Sequence, residues 1–142
     1  MYTAAILADS SSKLLHSKFV EKIDPDPLGF IFETKFGQRL PHHMTINLGP
    51  FNDSINSPEV FGSSARLWVD HFLYNENICC AVVKKAETLS RIPIFCANKN
   101  PHITVCLRPP TRPVESNKLF TNASSTINIE EIILDTFVDE LE

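Results

Sequence analysis

The sequence has 142 residues, of which 43% are apolar and 21% are charged, a composition typical of a soluble globular protein. No apolar run approaches the roughly eighteen residues of a membrane-spanning helix, so we expect no membrane segment. The net charge of −4 conceals an asymmetry, because six of the 17 acidic residues and none of the 13 basic ones lie in the last fourteen positions. The rest of the chain is mildly basic, which suits a small phosphate ligand and argues against an extended nucleic-acid interface.

The first part of the chain alternates between apolar runs and turn-forming residues. Residues 2–8, YTAAILA, are typical of a buried strand. Residues 10–23 begin with three serines that can cap a helix and carry apolar side chains at helical spacing, which predicts a helix. The stretch DPDPLG at 24–29 indicates a turn, and residues 30–36 are compatible with a strand or a loop.

The second part of the chain is dominated by predicted strands. Residues 65–86 contain two apolar runs around the turn NEN, which predicts a β-hairpin. The other predicted segments are a loop at 52–64, a helical turn at 86–93, a mixture of helix and loop at 114–124, and a strand at 127–141.

The order of these segments predicts the fold class. Several strands are joined by tight turns, and short helices lie between them, so we expect an α+β fold with a largely antiparallel sheet. No low-complexity tract or linker divides the sequence, which favours a single domain over residues 1–142.

The cysteines and the N-terminus indicate the cellular compartment. Cys79, Cys80, Cys96 and Cys106 include no C-x-x-C pair, so we expect reduced and mostly buried thiols in an intracellular protein. The N-terminal apolar run has no basic residue before it and ends at Asp9, which argues against a signal peptide.

Two short stretches share one chemical pattern. HHMTIN contains His43 and Thr45, and HITV contains His102 and Thr104, so each stretch has a histidine, an apolar residue and a threonine in that order. The second histidine follows the first after fifty-nine positions. Since side chains alternate between the faces of a strand, each histidine is expected to share a face with its threonine.

The opposite faces of these predicted strands are apolar. The residues expected to point into the core are Met44, Ile46, Leu48, Ile103, Val105 and Leu107. The same alternation would place Asn47 on the histidine face of the first strand and Cys106 on that of the second.

The combination of two imidazoles and two hydroxyls suits phosphodiester hydrolysis without a metal. Such a reaction needs a base for the water and an acid for the departing oxygen, and imidazole serves in either role near neutral pH. Hydroxyl groups can donate hydrogen bonds to the non-bridging oxygens as charge develops. The alternative is a pair of ordinary edge strands with half-buried histidines.

These motifs carry a family resemblance. Paired H-x-T motifs on strands resemble the two-histidine (2H) phosphoesterase superfamily, which includes the LigT-like RNA phosphodiesterases and the cyclic phosphodiesterase domain of fungal tRNA ligases. The stretch PVESNKLF at 113–120 is also similar to a Ser-Asn-x-Leu stretch of one branch. The resemblance extends from the first strand to residue 120.

The resemblance implies both a fold and a set of roles. It implies a bilobal α+β fold, with two largely antiparallel sheets related by pseudo-twofold symmetry around a central cleft and with helices on the outside. Carried over residue by residue, His43 and His102 would be the catalytic acid and base, in an order that stays open. Thr45 and Thr104 would bind the phosphate oxygens, and neither a metal nor another cofactor would take part.

The expected function is hydrolysis of a small nucleotide or an RNA end, with a 2′,3′-cyclic phosphate as the leading substrate. Within the same reaction class, 2′-5′-linked oligoadenylates and cyclic oligonucleotide signals are alternatives, since viral members of the superfamily destroy such immune signals. A non-catalytic nucleotide- or RNA-binding module is the alternative from a different class. The protein is expected to act as a monomer.

Several other polar residues have simpler interpretations. His42 is expected on the opposite strand face from its neighbour, as a loop residue or a support for it. A zinc site formed by His42, both motif histidines and Cys106 would match no usual ligand spacing. Six basic residues near the motifs are candidates for steering phosphate or ordinary surface charge, namely Lys35, Arg39, Lys99, Arg108, Arg112 and Lys118. The aromatic candidates for base stacking are Tyr2, Phe36, Phe51 and Trp68.

Overall fold

Six antiparallel strands form most of the fold in the computed structural model, which describes residues 1–121 and 124–142. The strands are β1 (Tyr2–Leu7), β2 (His43–Leu48), β3 (Ser64–Tyr74), β4 (Ile78–Thr88), β5 (His102–Leu107) and β6 (Ser125–Leu141). They close into a barrel in the order β1-β2-β5-β4-β3-β6, and every neighbouring pair is antiparallel. The described helices are α1 (Asp9–Val20) and three short 3₁₀ helices at Asp26–Leu28, Pro58–Val60 and Pro113–Phe120.

The prediction of a bilobal α+β fold with two sheets was wrong. The closed arrangement depends on β6, a 17-residue strand that pairs with β3 over most of its length and with β1 near its C-terminal end. β6 closes the sheet, because it pairs with β1 and with β3, the strands at the two ends of the series β1-β2-β5-β4-β3. On the other side, β2 and β5 are linked through one registered pair, Met44 with Ile103. The fold is therefore mostly β, with a single α-helix in its described part instead of an outer set of helices.

Most of the strand predictions were correct because they depended on local patterns. The hairpin corresponds to β3 and β4, and the side chain of Asn75 closes its turn by accepting hydrogen bonds from the backbone N–H groups of Asn77 and Ile78. The predicted helical turn at 86–93 was wrong, because β4 continues to Thr88 and a turn with Arg91 at a φ of 67° follows it. Of the segment 114–124, residues 122 and 123 lie outside the described part of the chain.

The core consists of apolar side chains from all six strands together with one face of α1. Leu15 and Phe19 of that helix are fully buried, and the ring of Phe19 packs edge-on against Phe72 of β3 at 5.6 Å between centroids. The cysteines are free thiols, and three of the four are buried. None of the helices in the described residues combines the length and hydropathy that crossing a bilayer requires.

Candidate functional site

The two H-x-T motifs lie on neighbouring antiparallel strands. Met44 of β2 is paired with Ile103 of β5, and continuing that register places His43 level with Thr104 and Thr45 level with His102. Residues directly opposite one another in an antiparallel pair project from the same face of the sheet. The two histidines and two threonines are therefore grouped on one face of the two strands.

The face that carries these four side chains forms the wall of a cleft. Its volume is about 590 Å³, and its lining includes His43, Thr45, His102 and Thr104. This size suits a small organic ligand. On the opposite face of both strands, the apolar residues between and after the motif positions are fully buried in the core. The apolar rows therefore bury one face of the strands and leave the motif side chains at the cleft.

A β-bulge follows the threonine in each motif strand. In β2 the register with β1 skips Ile46, and in β5 the register with β4 skips Val105. An extra residue in a strand reverses the alternation beyond it. Cys106, expected beside His102, is consequently buried in the core, and Leu48, expected in the core, is 85% exposed at the cleft.

His43 is held by its neighbours on two sides. Its Nδ1 lies 2.9 Å from Nδ1 of His42, and its ring lies 5.1 Å from that of Tyr2. Burial, followed by the nearby His42 and His102, lowers the pKa of His43 from 6.5 to about 4. The imidazole is therefore neutral at physiological pH in the free protein and can accept a proton.

His42 was expected on the opposite face from His43, but it lines the cleft beside it. It precedes β2, so strand alternation does not determine its direction. Its carbonyl accepts a hydrogen bond from the N–H of Leu7, and the carbonyl of Pro41 accepts one from the hydroxyl of Ser12. These contacts fix the chain where it enters β2.

His102 has a different set of partners. Its Nδ1 donates a hydrogen bond to the backbone carbonyl of Asn100 at 2.7 Å, and its ring packs against Phe120 at 5.5 Å between centroids. Burial lowers the pKa of His102, whereas the bond to the carbonyl of Asn100 opposes that shift by stabilising the imidazolium. With Nδ1 engaged, Nε2 is the ring nitrogen left for a ligand.

The two threonines differ in their surroundings. Thr104 Oγ1 lies 2.9 Å from Oγ of Ser116, whose side chain is fully buried in the 3₁₀ helix Pro113–Phe120. Within the described part of the chain, Ser116 Oγ has no other hydrogen-bond partner, so satisfying its O–H requires donation to Thr104. The hydroxyl hydrogen of Thr104 is then left for the cleft, in competition with the Pro113 carbonyl at 3.5 Å. Thr45 makes no side-chain hydrogen bond to any described residue.

The described cleft wall combines polar and apolar side chains, and its histidines are its only basic residues. Among residues 1–121 and 124–142, the lining contains no lysine, arginine, aspartate or glutamate. The six basic residues considered for phosphate steering all lie outside it; Lys118, for example, pairs with Glu115 at 3.5 Å. Of the four aromatic candidates for base stacking, Tyr2 lines the cleft.

The described residues include no cluster of three or more histidine, cysteine, aspartate and glutamate side chains arranged to hold a metal ion. Cys106 is buried in the core, on the other side of β5 from His102. The chemistry that this wall offers is proton transfer by imidazole and hydrogen bonding by hydroxyl and amide groups.

Comparison with known proteins identifies the family. The model of the fungal tRNA ligase phosphodiesterase domain matches residues 38–138, a span that contains both motifs and the 3₁₀ helix with Ser116. The chain belongs to this family. Membership of the fungal tRNA ligase phosphodiesterase family confirms the resemblance to the two-histidine phosphoesterases.

A solved structure shares the fold. The crystal structure of a fungal RNA kinase matches with a TM-score of 0.59 and 15% sequence identity, over 96% of this chain and 44% of that chain. At this identity the match concerns the fold alone, and the chain spans less than half the length of that protein. No curated protein matches the sequence significantly.

The sequence identified both motifs but did not indicate several of the residues around them. His42 and Ser116 contact the motif side chains directly, and the amides of Asn98, Asn100 and Asn117 line the cleft. The Ser-Asn-x-Leu stretch was the available signal for Ser116 and Asn117. The loop asparagines before β5 carry no comparable pattern, because their position depends on how the loop folds over the strand.

Proposed function

We propose that this chain is a metal-independent phosphodiesterase that opens a 2′,3′-cyclic phosphate at an RNA end or on a small nucleotide. The observation that carries the proposal is the grouping of two histidines and two threonines on adjacent strands that line one cleft. The family, named for the phosphodiesterase domain of fungal tRNA ligases, supports an RNA end as the natural substrate.

The surroundings of the two imidazoles suggest a division of roles. His43, with a pKa of about 4, is the base: its Nε2 takes a proton from water as the water oxygen bonds to phosphorus. His102, whose protonated form is stabilised by the Asn100 carbonyl, is the acid and gives a proton to the ribose oxygen as its bond to phosphorus breaks. The products are a phosphomonoester and a free hydroxyl group.

The neighbouring groups support this division. For His43 to act through Nε2, its Nδ1 must carry the hydrogen and donate it to Nδ1 of His42, which fixes the tautomer of both rings. Thr45 and Thr104 donate hydrogen bonds to the non-bridging oxygens, where charge develops. After turnover His43 is protonated and His102 is neutral, and exchange with solvent restores the starting state.

A panel of substrates tests the proposal. Purified protein is incubated with nucleoside 2′,3′-cyclic phosphates, 3′,5′-cyclic nucleotides, 2′-5′-linked oligoadenylates and cyclic dinucleotides, in the presence of a chelator. We expect monoester products from the 2′,3′-cyclic phosphates. If only another member of the panel were hydrolysed, that compound would be the substrate and the assignment of a 2′,3′-cyclic phosphate would be wrong. Binding without turnover of any of them would favour the non-catalytic module, and activity lost to the chelator but restored by a divalent metal would contradict the mechanism.

The pH dependence of kcat/KM should follow the two histidines of the free enzyme. Activity should rise with pH through the pKa of His43, about 4, because the base must be neutral. It should fall as pH rises through the pKa of His102, which lies below 6.5, because the acid must be protonated. The expected profile is a bell with its maximum between these values. A kcat/KM that still increases above pH 7 would show that no protonated imidazole is required.

Ser116→Ala should lower kcat by about two- to tenfold, because it removes the donor that directs the hydroxyl of Thr104 towards the cleft. KM should change less, since Ser116 is buried and cannot touch the substrate. Combining it with Thr104→Val should add little to the loss caused by Thr104→Val alone. Ser11→Ala is the control, because Ser11 is also buried but bonds to the backbone of Asp135. Independent, multiplying effects of the two substitutions would contradict a positioning role.

A further inference from the structure

Beyond the motif side chains, the cleft contains a bridge between two amides. Asn98 lies in the loop before β5, and Asn117 lies in the 3₁₀ helix after it. The amide of Asn98 donates from Nδ2 to Oδ1 of Asn117 at 2.6 Å. The bridge therefore connects the two segments that flank the strand with His102 and Thr104, and both residues line the cleft.

The orientation of both amides is determined by their other partners. Asn98 Oδ1 accepts a hydrogen bond from the N–H of Asn100 at 2.9 Å, and Asn117 Nδ2 donates one to the carbonyl of Val114 at 3.0 Å. An amide nitrogen carries two hydrogens, and each of these nitrogens uses one of them within the described part of the chain. One N–H of Asn98 and one of Asn117 therefore stay available to a ligand that offers acceptors.

The rim of the same cleft exposes apolar surface. Leu48 at the end of β2 is 85% exposed and Val114 in the 3₁₀ helix is 60% exposed, and both residues line the cleft. Exposed apolar side chains at the mouth of a cleft indicate contact with an uncharged part of a ligand. Away from the histidine pair, the described lining carries no charged side chain, which favours an uncharged group of the ligand in this region.

We propose that Asn98, Asn117 and Val114 form a nucleobase subsite next to the histidine pair. The two free N–H groups bind acceptor atoms on the edge of the base, and the apolar side chain of Val114 contacts its face. A nucleobase matches this surface because it is planar, uncharged and bordered by oxygen and nitrogen acceptors. The proposal rests on the proposed function, since it takes the phosphate of the same nucleotide to lie at His43 and His102.

The donors also predict a preference among bases. Guanine presents two adjacent acceptors, O6 and N7, whereas adenine presents a donor beside N7. Two amide N–H groups therefore match guanine on that edge, and we expect the guanosine substrate to be hydrolysed more efficiently than the adenosine substrate. Asn117→Ala should reduce this difference, because it removes one of the two donors.

The test compares substrates with and without a base. The substrates are guanosine and adenosine 2′,3′-cyclic phosphates and 1-O-methylribose 2,3-cyclic phosphate, which lacks a base. Asn117→Ala and Val114→Ser should each lower kcat/KM for the guanosine compound by about two- to tenfold, the effect of one lost neutral contact, and leave the base-free compound unchanged. Asn117 is replaced instead of Asn98 because Asn98 also holds Asn100, whose carbonyl accepts the hydrogen bond from His102. Asn128→Ala is the matched control, since Asn128 lies on β6 outside the cleft lining.

The outcomes separate the subsite from the proposed function. Equal wild-type efficiency towards the nucleotides and the base-free compound, or an equal loss for all three in the variants, would overturn the subsite while leaving the phosphodiesterase intact. If no compound is hydrolysed, the proposed function fails, and calorimetric binding of guanosine 2′-monophosphate against ribose phosphate decides the subsite separately. Tighter binding of the nucleotide that Asn117→Ala abolishes would support the subsite, and equal binding would reject it.

Discussion

Replacing His43 or His102 by alanine is expected to lower kcat by roughly 10²–10⁴-fold, the contribution of a positioned acid or base. Both side chains line the cleft beside the threonines, while the strands that carry them are held by buried apolar residues on the opposite face. The fold should therefore survive either substitution. The measurement is single-turnover hydrolysis of a 2′,3′-cyclic phosphate, with thermal unfolding to verify the fold. His71→Ala is the matched control, because His71 is bonded to Asp70 of β3.

The double variant should lose little more than the more damaging single variant, because the pair acts as a unit. An aryl phosphodiester separates the two roles, since a phenolate leaves without protonation. On that substrate the deficit of His102→Ala should shrink, whereas the deficit of His43→Ala should persist. The reverse pattern would show that His43 is the acid and His102 the base. Near wild-type activity in either single variant would show that the substituted histidine takes no part in the mechanism.

Thr45→Val and Thr104→Val are each expected to reduce kcat/KM by about ten- to two-hundredfold. Each substitution removes a hydroxyl donor to a phosphate oxygen, which corresponds to roughly 1.5–3 kcal/mol of transition-state stabilisation. Valine resembles threonine in shape and suits a strand, so the backbone should be little disturbed. Serine at either position should restore much of the activity, because it restores the hydroxyl group.

The two substitutions should differ in their effect on stability. Thr104→Val leaves the fully buried hydroxyl of Ser116 without its partner, which should lower the free energy of unfolding by about 1–3 kcal/mol. Thr45 has no such partner among the described residues, so Thr45→Val should be nearly neutral in urea denaturation. Thr136→Val is the control, because Thr136 is buried in β6 and donates to the Ala65 carbonyl away from the cleft. It should lower stability without lowering kcat/KM.

If Thr45→Val retained the wild-type kcat/KM, the hydroxyl of Thr45 would not reach the phosphate. The same result for Thr104→Val would also remove the reason for the contact with Ser116. If both variants kept the wild-type kcat/KM, neither threonine hydroxyl would stabilise the transition state, and the role proposed for the two threonines would be wrong.

Local patterns in the sequence determined the strands and the relation of each histidine to its threonine. Alternation with a period of two follows from the geometry of a single strand and needs no partner, so the shared faces of His43 with Thr45 and of His102 with Thr104 could be predicted. The family could also be predicted, since the paired motifs are short and specific. The hairpin of β3 and β4 was predictable for the same reason, because its turn residues lie between its two apolar runs.

Tertiary structure decided the closed arrangement of the sheet and everything that depends on distant neighbours. The length of β6 was predictable, but its pairing with both β1 and β3 depends on backbone hydrogen bonds between segments far apart in the chain. The bulges at Ile46 and Val105 reverse the faces of Leu48 and Cys106, and an extra residue in a register exists only relative to a partner strand.

The properties of the site that matter for the proposed catalysis also depend on the tertiary structure. The pKa of His43 is low because its ring is buried and lies near the imidazoles of His42 and His102. Neither the burial nor the nearness of His102 can be read from the adjacent sequence. Ser116 reaches Thr104 because the 3₁₀ helix folds back over β5. The sequence determined which chemical groups are present and which of them share a strand face. Folding decided their partners, their protonation and the absence of charge from the described cleft wall, because burial and contact are properties of neighbours in space.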